Sequence, residues 1–208
     1  MKTFCLASGL ALAAAAAVGE DPPSFCKGLD CPSFSTSQVD NDIEVREYDA
    51  LLWASTVVED SSVTDAGGVA FGRLFGYLSG DNEKKQKIDM TTPVLNHIEA
   101  GTGPNCNSTF TVSFFVPWQY QNEEGPPSPT SDLVFIETKK LPQVAVAEFS
   151  GFADDKSIVQ EASVLYDAII DSKDIDVDEG AQDAYFFAAY DSPYTLFNRH
   201  NEDWVPIV

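Results

Sequence analysis

The stretch TDAGGVAFGRLFGYLSG, residues 64–80, decides the fold, because its apolar residues change period relative to the sequence on either side. They recur at i, i+3, i+4 and i+7, the spacing of one face of an α-helix. The residues at this spacing are Phe71, Leu74, Phe75 and Leu78. Thr64 or Asp65 is the expected cap of this first helix.

Glycines interrupt the first helix, at positions 67, 68, 72 and 76. Each one is about 1 kcal/mol less favourable than alanine inside a helix, so this helix depends on tertiary packing. Two interpretations remain open. The glycines either allow the helix to pack closely on a sheet or leave a surface that a flat molecule can approach.

Strand patterns flank the first helix on both sides. IEVREY (43–48) and LLWASTVV (51–58) precede it and predict an antiparallel hairpin, while MTTPVLNHIE (90–99) and TFTVSFFVP (109–117) follow it. The same order then returns in the second half of the chain. The strand-like runs LVFIET (133–138) and QVAVAEFS (143–150) precede a second helix, and AYFFAAY (184–190) and EDWVPI (202–207) follow it.

The second helix is predicted within DDKSIVQEASVLYDAII, residues 154–170, with Asp154 or Asp155 at its start and an apolar face of Ile158, Ala162, Leu165 and Ile169. The chain therefore predicts an α+β fold made of two β-β-α-β-β units. We expect an eight-stranded antiparallel sheet, closed into a distorted barrel or twisted, with two packed helices.

The N-terminus has the pattern of a secretory signal peptide, with one lysine followed by an apolar run and small residues before Glu20. We predict a signal peptide over 1–19, a loose lead-in over 20–41 and the folded domain over 42–208. Removal of the signal peptide changes the formal net charge from −21 to −22. Such a chain repels nucleic-acid backbones, and no later run predicts a membrane span. The sequence does not indicate which oligomeric state the protein has.

Secretion permits disulfides and glycosylation. Cys26, Cys31 and Cys106 follow the signal peptide. We predict a Cys31–Cys106 disulfide, because Cys31 introduces the folded segment and Cys26 lies further out. The rival is a local Cys26–Cys31 bridge that leaves Cys106 free. The sequon NST makes Asn107 a predicted glycosylation site.

The sequence contains no recognisable catalytic motif. There is no G-x-S-x-G elbow, phosphate-binding loop or dinucleotide fingerprint, and the only two histidines, His97 and His200, have no partner at metal-ligand spacing. We therefore predict no metal site and no enzymatic activity.

Five motifs together resemble the SOUL, or heme-binding protein 2-like, family. They are EVREYDALLWAST, LFGYLSGDNEKKQKIDMTTPV, GPNCNSTFTVSFFVP, VAVAEFSGF and AAYDSPYTLFNRHNEDWVPI. The resemblance implies a duplicated α+β fold and a haem or other tetrapyrrole ligand held by hydrophobic contact near the first helix. Carried onto this chain, the groove would be formed by Phe71, Gly72, Phe75, Leu78, Tyr190 and Tyr194.

At one position this chain departs from the family in a way that concerns binding of the haem iron. Some members have a proposed axial histidine directly before the tyrosine of the first strand, where this chain has Glu47. Iron ligation is therefore not carried over, and Met90 in KIDMTTPV is interpreted as a packing residue. We expect a secreted, non-enzymatic tetrapyrrole-binding protein. The alternatives are a carrier of another flat hydrophobic molecule, or an extracellular interaction protein that has lost haem binding.

Overall fold

The computed structural model describes residues 22–40, 43–102, 106–172, 175–177 and 183–208. The predicted signal peptide lies outside them. Two α-helices span α1 (Val63–Ser79) and α2 (Asp155–Asp171). The strands in chain order are β1 (Phe34–Asp40), β2 (Ile43–Tyr48), β3 (Leu51–Asp60), β4 (Val94–Glu99), β5 (Ser108–Phe115), β6 (Phe135–Lys139), β7 (Val144–Phe149), β8 (Ala184–Ala189) and β9 (Asn201–Pro206).

The strands form one antiparallel sheet in the order β1-β2-β7-β9-β8-β4-β5-β3-β6. From β2 onward the order is symmetric about the β4–β8 pair. Each strand on one side of this pair has an equivalent on the other side: β8 corresponds to β4, β9 to β5, β7 to β3 and β2 to β6. The duplicated α+β fold is confirmed. The sheet has a ninth strand because β1 forms within the predicted lead-in and pairs with β2.

The predicted hairpin between the first two strands of the repeat is wrong. β2 pairs with β7 of the other half, and β3 pairs with β6 of the other half. The two halves therefore exchange strands across the sheet. Alternation in the sequence identifies a strand, but it carries no information about a partner that lies about a hundred residues away.

Helix α1 starts earlier than predicted and is rotated relative to its predicted face. Ser62 is the N-cap, and its side chain accepts a hydrogen bond from the Asp65 amide at 3.0 Å. Phe75 is 50% exposed, and Phe71 is half-buried. The face that packs on the sheet consists of Ala66, Ala70, Leu74, Tyr77 and Leu78. Small alanines lie against the sheet, so the two phenylalanines are displaced toward solvent.

Helix α2 agrees with its predicted start and face. Asp154 forms a capping box with Ser157. The buried residues are the predicted Ile158, Ala162, Leu165 and Ile169. Asp155 accepts hydrogen bonds from the amide and hydroxyl of Thr64, at 2.8 and 2.6 Å. One carboxylate therefore ties the start of α2 to the start of α1.

The sheet buries apolar side chains on both faces. On the convex face, one cluster packs under α1 and another under α2. The concave face carries a third cluster, which is rich in aromatic residues and includes Tyr48, Trp53, Phe115, Phe186, Tyr190 and Trp204. No helix among the described residues is long and apolar enough to span a membrane.

The predicted Cys31–Cys106 disulfide is wrong, because Cys26 bonds Cys31 and Cys106 is an exposed free thiol. The segment around Cys31 lies near the start of β4, where the Asp30 carbonyl accepts a hydrogen bond from Thr92. Cys106 lies in the connection that leaves the far end of β4, about 20 Å away for a six-residue strand. Asn107 is exposed, and its glycosylation stays a prediction.

Candidate functional site

The outer face of α1 carries an apolar stripe beside its buried face. We call it the α1 stripe; it consists of Gly68, Phe71, Gly72 and Phe75, at i, i+3, i+4 and i+7. The rings of Phe71 and Phe75 stack with centroids 5.6 Å apart, and Phe71 packs edge-on against Phe114 of the sheet at 5.5 Å. A Cβ atom added at Gly68 or Gly72 would meet nothing within 4 Å. The glycines therefore leave a flat surface open to solvent.

The sheet beside the α1 stripe continues the apolar surface. Val94 on β4 pairs with Phe114 on one side and with Ala189 on the other, so it lies next to the strand that supports Phe71. Half-buried apolar side chains pack on the same core cluster here: Met90, Val94, Phe149, Ala153 and Ala189. The predicted packing role of Met90 agrees with this position. These residues form the floor between α1 and the end of β8.

The connection from β8 to β9 begins beside this surface, because Ala189, the last residue of β8, pairs with Val94. We call residues 190–200 the β8–β9 loop. Tyr194 is 91% exposed and Phe197 is 81% exposed, and Leu196 is exposed as well. Arg199 holds the loop from within by donating to the carbonyls of Ser192 and Thr195 at 2.7 and 3.0 Å. The loop therefore has an ordered backbone and exposed apolar side chains.

The structure brings together only part of the predicted groove. Phe71, Gly72 and Phe75 lie on one surface, and the β8–β9 loop presents Tyr194. Leu78 is buried in the core under α1. Tyr190 is buried in the concave cluster, where its hydroxyl donates to Glu202 at 2.9 Å. Leu78 and Tyr190 therefore offer no accessible side-chain surface to a ligand.

A short segment with three lysines adjoins the floor of this surface. Lys84, Lys85 and Lys87 are exposed and lie between α1 and Met90. They are three of only twelve basic residues in a chain with thirty-three acidic ones. Asp81, Glu83 and Asp89 are exposed in the same segment, so its formal charge balances, but the lysine side chains can still pair with an anionic group on a bound molecule.

The concave face holds a buried charged network that the sequence reasoning missed. Glu202 is fully buried, and the Arg46 guanidinium donates to both of its carboxylate oxygens at 3.0 Å. The same carboxylate accepts hydrogen bonds from the Trp204 indole at 2.8 Å and lies 2.7 Å from Nε2 of His200. His200 directly precedes β9, and Glu202 and Trp204 lie on it at alternate positions. The alternating polar and aromatic residues of HNEDW were therefore the signal available in the sequence.

The network shifts the ionisation of its members. Burial alone would raise the pKa of Glu202, but the hydrogen bond with His200 and the Arg46 charge lower it overall. Burial raises the pKa of Tyr190 well above its usual range, and the Glu202 charge adds to this effect. The carboxylate is therefore ionised and paired, while the tyrosine is neutral and donates.

A smaller polar cluster lies on the concave face of the side of the sheet formed by β4, β5, β3 and β6. The Ser55 hydroxyl lies 2.8 Å from that of Ser113 and donates to Glu137 at 2.7 Å. Lys139 lies 2.8 Å from Glu137. His97 on β4 stacks on Phe186 at 4.5 Å, and burial lowers its pKa. Across the described residues, no group of three His, Cys, Asp or Glu side chains is placed to hold a metal ion.

Both histidines of the chain lie on the concave face, on the opposite side of the sheet from the α1 stripe. His97 stacks on Phe186 of the concave cluster, and His200 bonds Glu202. Glu47, in place of the proposed axial histidine, lies exposed on β2, in the half of the sheet that α2 covers. The apolar surface instead presents the Tyr194 phenol and the Met90 thioether.

Comparison with known proteins identifies related sequences over most of the chain. A family model described as SOUL heme-binding protein matches residues 29–206. The chain is 37% identical over 166 residues to heme-binding protein 2 of Homo sapiens, covering 78% of this chain and 76% of that protein. It is 30% identical over 161 residues to heme-binding protein 1 of Xenopus tropicalis, covering 77% and 81%.

Solved structures with low sequence identity share the fold. The C-terminal domain of EcmrR has a TM-score of 0.56 at 5% identity, covering 84% of this chain and 98% of that one. An uncharacterized conserved protein from Listeria innocua has a TM-score of 0.54 at 10% identity, covering 80% and 92%. At these identities the likeness establishes only the architecture.

Proposed function

Because the chain belongs to the SOUL heme-binding protein family, we propose that it binds haem or a related tetrapyrrole on the surface between the α1 stripe and the β8–β9 loop. The observation that carries the proposal is the α1 stripe itself. Two stacked phenylalanines stand beside glycines with open space above them, so a flat macrocycle can contact the helix closely. Exposed apolar side chains on the loop provide contacts on the other side.

The exposed lysines beside the floor give the ligand an orientation. Haem carries two propionates, and Lys84, Lys85 and Lys87 can pair with them, although Asp81, Glu83 and Asp89 in the same segment oppose this attraction. The propionates would face this segment while the apolar part of the macrocycle lies on the α1 stripe. Exposed charges are screened by salt, so binding should weaken moderately as ionic strength increases.

Binding is chiefly hydrophobic in this proposal. Neither histidine lies on the proposed surface, which leaves Tyr194 or Met90 as the nearest side chains able to ligate iron. Metal-free protoporphyrin should then bind within about tenfold of hemin, or about 1.4 kcal/mol. The protein would sequester or carry the ligand without transforming it, and the signal-peptide pattern suggests that it does so outside the cell.

The test is a titration of the purified protein with hemin and with protoporphyrin, followed by absorbance and by tryptophan fluorescence. Gly72→Leu should weaken binding of both at least tenfold while the thermal midpoint holds, because position 72 faces open space. Val159→Ser is the matched control, since Val159 is a similarly exposed residue on α2. Equal affinity of Gly72→Leu and the unaltered protein would contradict this placement.

A further inference from the structure

The N-terminal strap, residues 22–33, is a covalently closed element packed on the body of the protein. The disulfide between Cys26 and Cys31 encloses a turn in which the Leu29 amide donates to the Cys26 carbonyl at 3.0 Å. Both cysteines are buried. The strap precedes the strands of the duplicated unit and has no counterpart in the second repeat, so the duplicated fold does not by itself require it.

One side of the strap contacts the neck of the β8–β9 loop, where the chain leaves β8 and enters β9. Phe25 stacks on the His200 ring with centroids 4.4 Å apart and packs edge-on against Tyr190 at 5.0 Å. The Lys27 ammonium forms an ion pair with Asp191 and approaches the Asn198 carbonyl at 3.4 Å. The strap therefore touches the loop at both ends.

Asp191 joins the strap to the two ends of the loop. Its side chain is almost fully buried, and its Oδ2 accepts the His200 amide at 2.7 Å while its Oδ1 pairs with Lys27. Burial opposes ionisation of Asp191, but the bonds from Lys27 and from the His200 amide lower its pKa overall. The ionised carboxylate therefore bridges the two ends of the loop and the strap, and the Lys27 charge stabilises it in that form.

The other side of the strap contacts the segment that leads into β4. The Asp30 carbonyl accepts the Thr92 amide at 3.0 Å, and the Thr92 hydroxyl donates to the Tyr190 carbonyl at 3.2 Å. Thr92 lies between Met90 and Val94, which form part of the floor of the proposed ligand surface. The strap thus links the floor of that surface to the β8–β9 loop.

We infer that the disulfide-closed strap positions the β8–β9 loop for tetrapyrrole binding, and that reduction of Cys26–Cys31 weakens that binding. The inference rests on the proposed function. A dithiol reductant donates two electrons and two protons; the S–S bond breaks, two thiols form, and the reductant becomes a disulfide. The opened strap no longer fixes Phe25 and Lys27, so the neck of the loop loses its contacts with the strap and keeps only the bonds between its own two ends.

The experiment compares the oxidised protein with a Cys26→Ser/Cys31→Ser variant and with protein treated with dithiothreitol. Amide hydrogen exchange of residues 190–200 is measured first, and hemin and protoporphyrin are titrated next. We expect exchange in the loop to accelerate at least tenfold and both affinities to fall at least fivefold. Exchange in α2, which does not contact the strap, serves as the internal reference.

Two further variants separate the strap from general effects of the cysteines. Cys106→Ser removes the exposed free thiol and should leave both exchange and affinity unchanged in either redox state. Lys27→Ala keeps the disulfide but removes the ion pair to Asp191, so it should reproduce the faster loop exchange even if the double cysteine variant folds poorly. Lys156→Ala, a lysine on α2 away from the strap, is its matched control.

Unchanged loop exchange after reduction and in Lys27→Ala would overturn the inference, and so would faster exchange with unchanged affinity. Both results can occur in a protein that binds tetrapyrrole, so they leave the proposed function intact. If the oxidised protein binds neither hemin nor protoporphyrin, the proposed function is refuted, and the inference that the disulfide controls this binding is refuted as well.

Discussion

The two halves of the molecule share a topology but differ in what lies between the helix and the sheet. Under α1, β5 presents the apolar side chains of Phe110, Val112 and Phe114. On β9, the equivalent strand under α2, the corresponding face presents Asn201, Asp203 and Val205. Asn201 and Asp203 are fully buried. The duplicated backbone therefore tolerates a carboxyl group where the other half has only hydrocarbon.

The buried carboxyl group has no evident compensation. Neither oxygen of Asp203 has a hydrogen-bond partner within the described part of the chain, and the same is true of Oδ1 of Asn201. Burial raises the pKa of Asp203 to about 8, with a further contribution from Glu161. Asp203 is therefore mostly protonated in the folded protein at neutral pH and ionised in the unfolded chain. This difference should make the second half the less stable one.

Replacing Asp203 by valine should have the largest effect, and the effect should depend on pH. Between about pH 4 and pH 8 the folded state binds more protons at this site than the unfolded state, so the free energy of unfolding decreases as pH rises. The slope is at most about 1.4 kcal/mol per pH unit. Asp203→Val removes this dependence, and its advantage over the unaltered protein should grow to several kcal/mol at pH 8.

Urea unfolding of both proteins across this pH range measures the difference. Glu161→Gln is the control, because it removes only the nearby charge and should slightly narrow the pH range over which stability falls. Parallel stability curves for Asp203→Val and the unaltered protein would show that the carboxyl group is solvated in solution, and that the halves are equally well packed.

The concave face also differs between the two sides of the sheet, β2-β7-β9-β8 and β4-β5-β3-β6. Each side has a carboxylate there, but Glu202 is fully buried and bonded to Arg46, whereas the side chain of Glu137 retains 32% of its exposure. We expect Glu202→Gln to lower the free energy of unfolding by about 3 kcal/mol, because the buried Arg46 charge then keeps only the part-buried Glu44 as an ionic partner. Thermal and urea unfolding report this loss.

The matched variant on the other side of the sheet is Glu137→Gln. Its ion pair with Lys139 is screened by solvent, so the expected loss is below about 1 kcal/mol. Similar losses for Glu137→Gln and Glu202→Gln would mean that the two concave faces are energetically equivalent, despite their different burial.

The repeat and its two helices could be predicted from the sequence because they depend on local periodicity. The i, i+3, i+4, i+7 pattern of Ile158, Ala162, Leu165 and Ile169 matched the buried face of α2. The pattern failed on α1, where Ala66 and Ala70 approach the sheet and Phe75 turns outward, because hydrophobicity alone does not distinguish a small contact residue from a large one. Family resemblance, rather than periodicity, suggested the ligand.

The missed strand pairing and the missed ion pair depend on contacts between distant segments. The exchange of β2 and β3 between the halves and the Arg46–Glu202 pair join residues about 80 to 160 positions apart. Neither pairing leaves a periodic signal in a single sequence. The disulfide differs, because Cys26 and Cys31 are five residues apart and their bridge was the rival interpretation. It was not preferred because the lead-in was not expected to fold back on the β8–β9 loop.

The smallest expected effect comes from small substitutions that compare the outer surfaces of α1 and α2 by their free energies of unfolding. Gly72→Ala should raise the free energy of unfolding by about 1 kcal/mol, because alanine is the better helix former and its methyl group meets no atom within 4 Å. Ser163→Ala on the exposed side of α2 is the control, and its gain should be smaller, since serine is penalised less than glycine in a helix. A methyl group leaves most of the flat surface in place, so hemin affinity should change less than threefold in Gly72→Ala. A loss of stability in this variant would show that position 72 is packed in solution, and would remove the reason for placing a flat ligand on this helix.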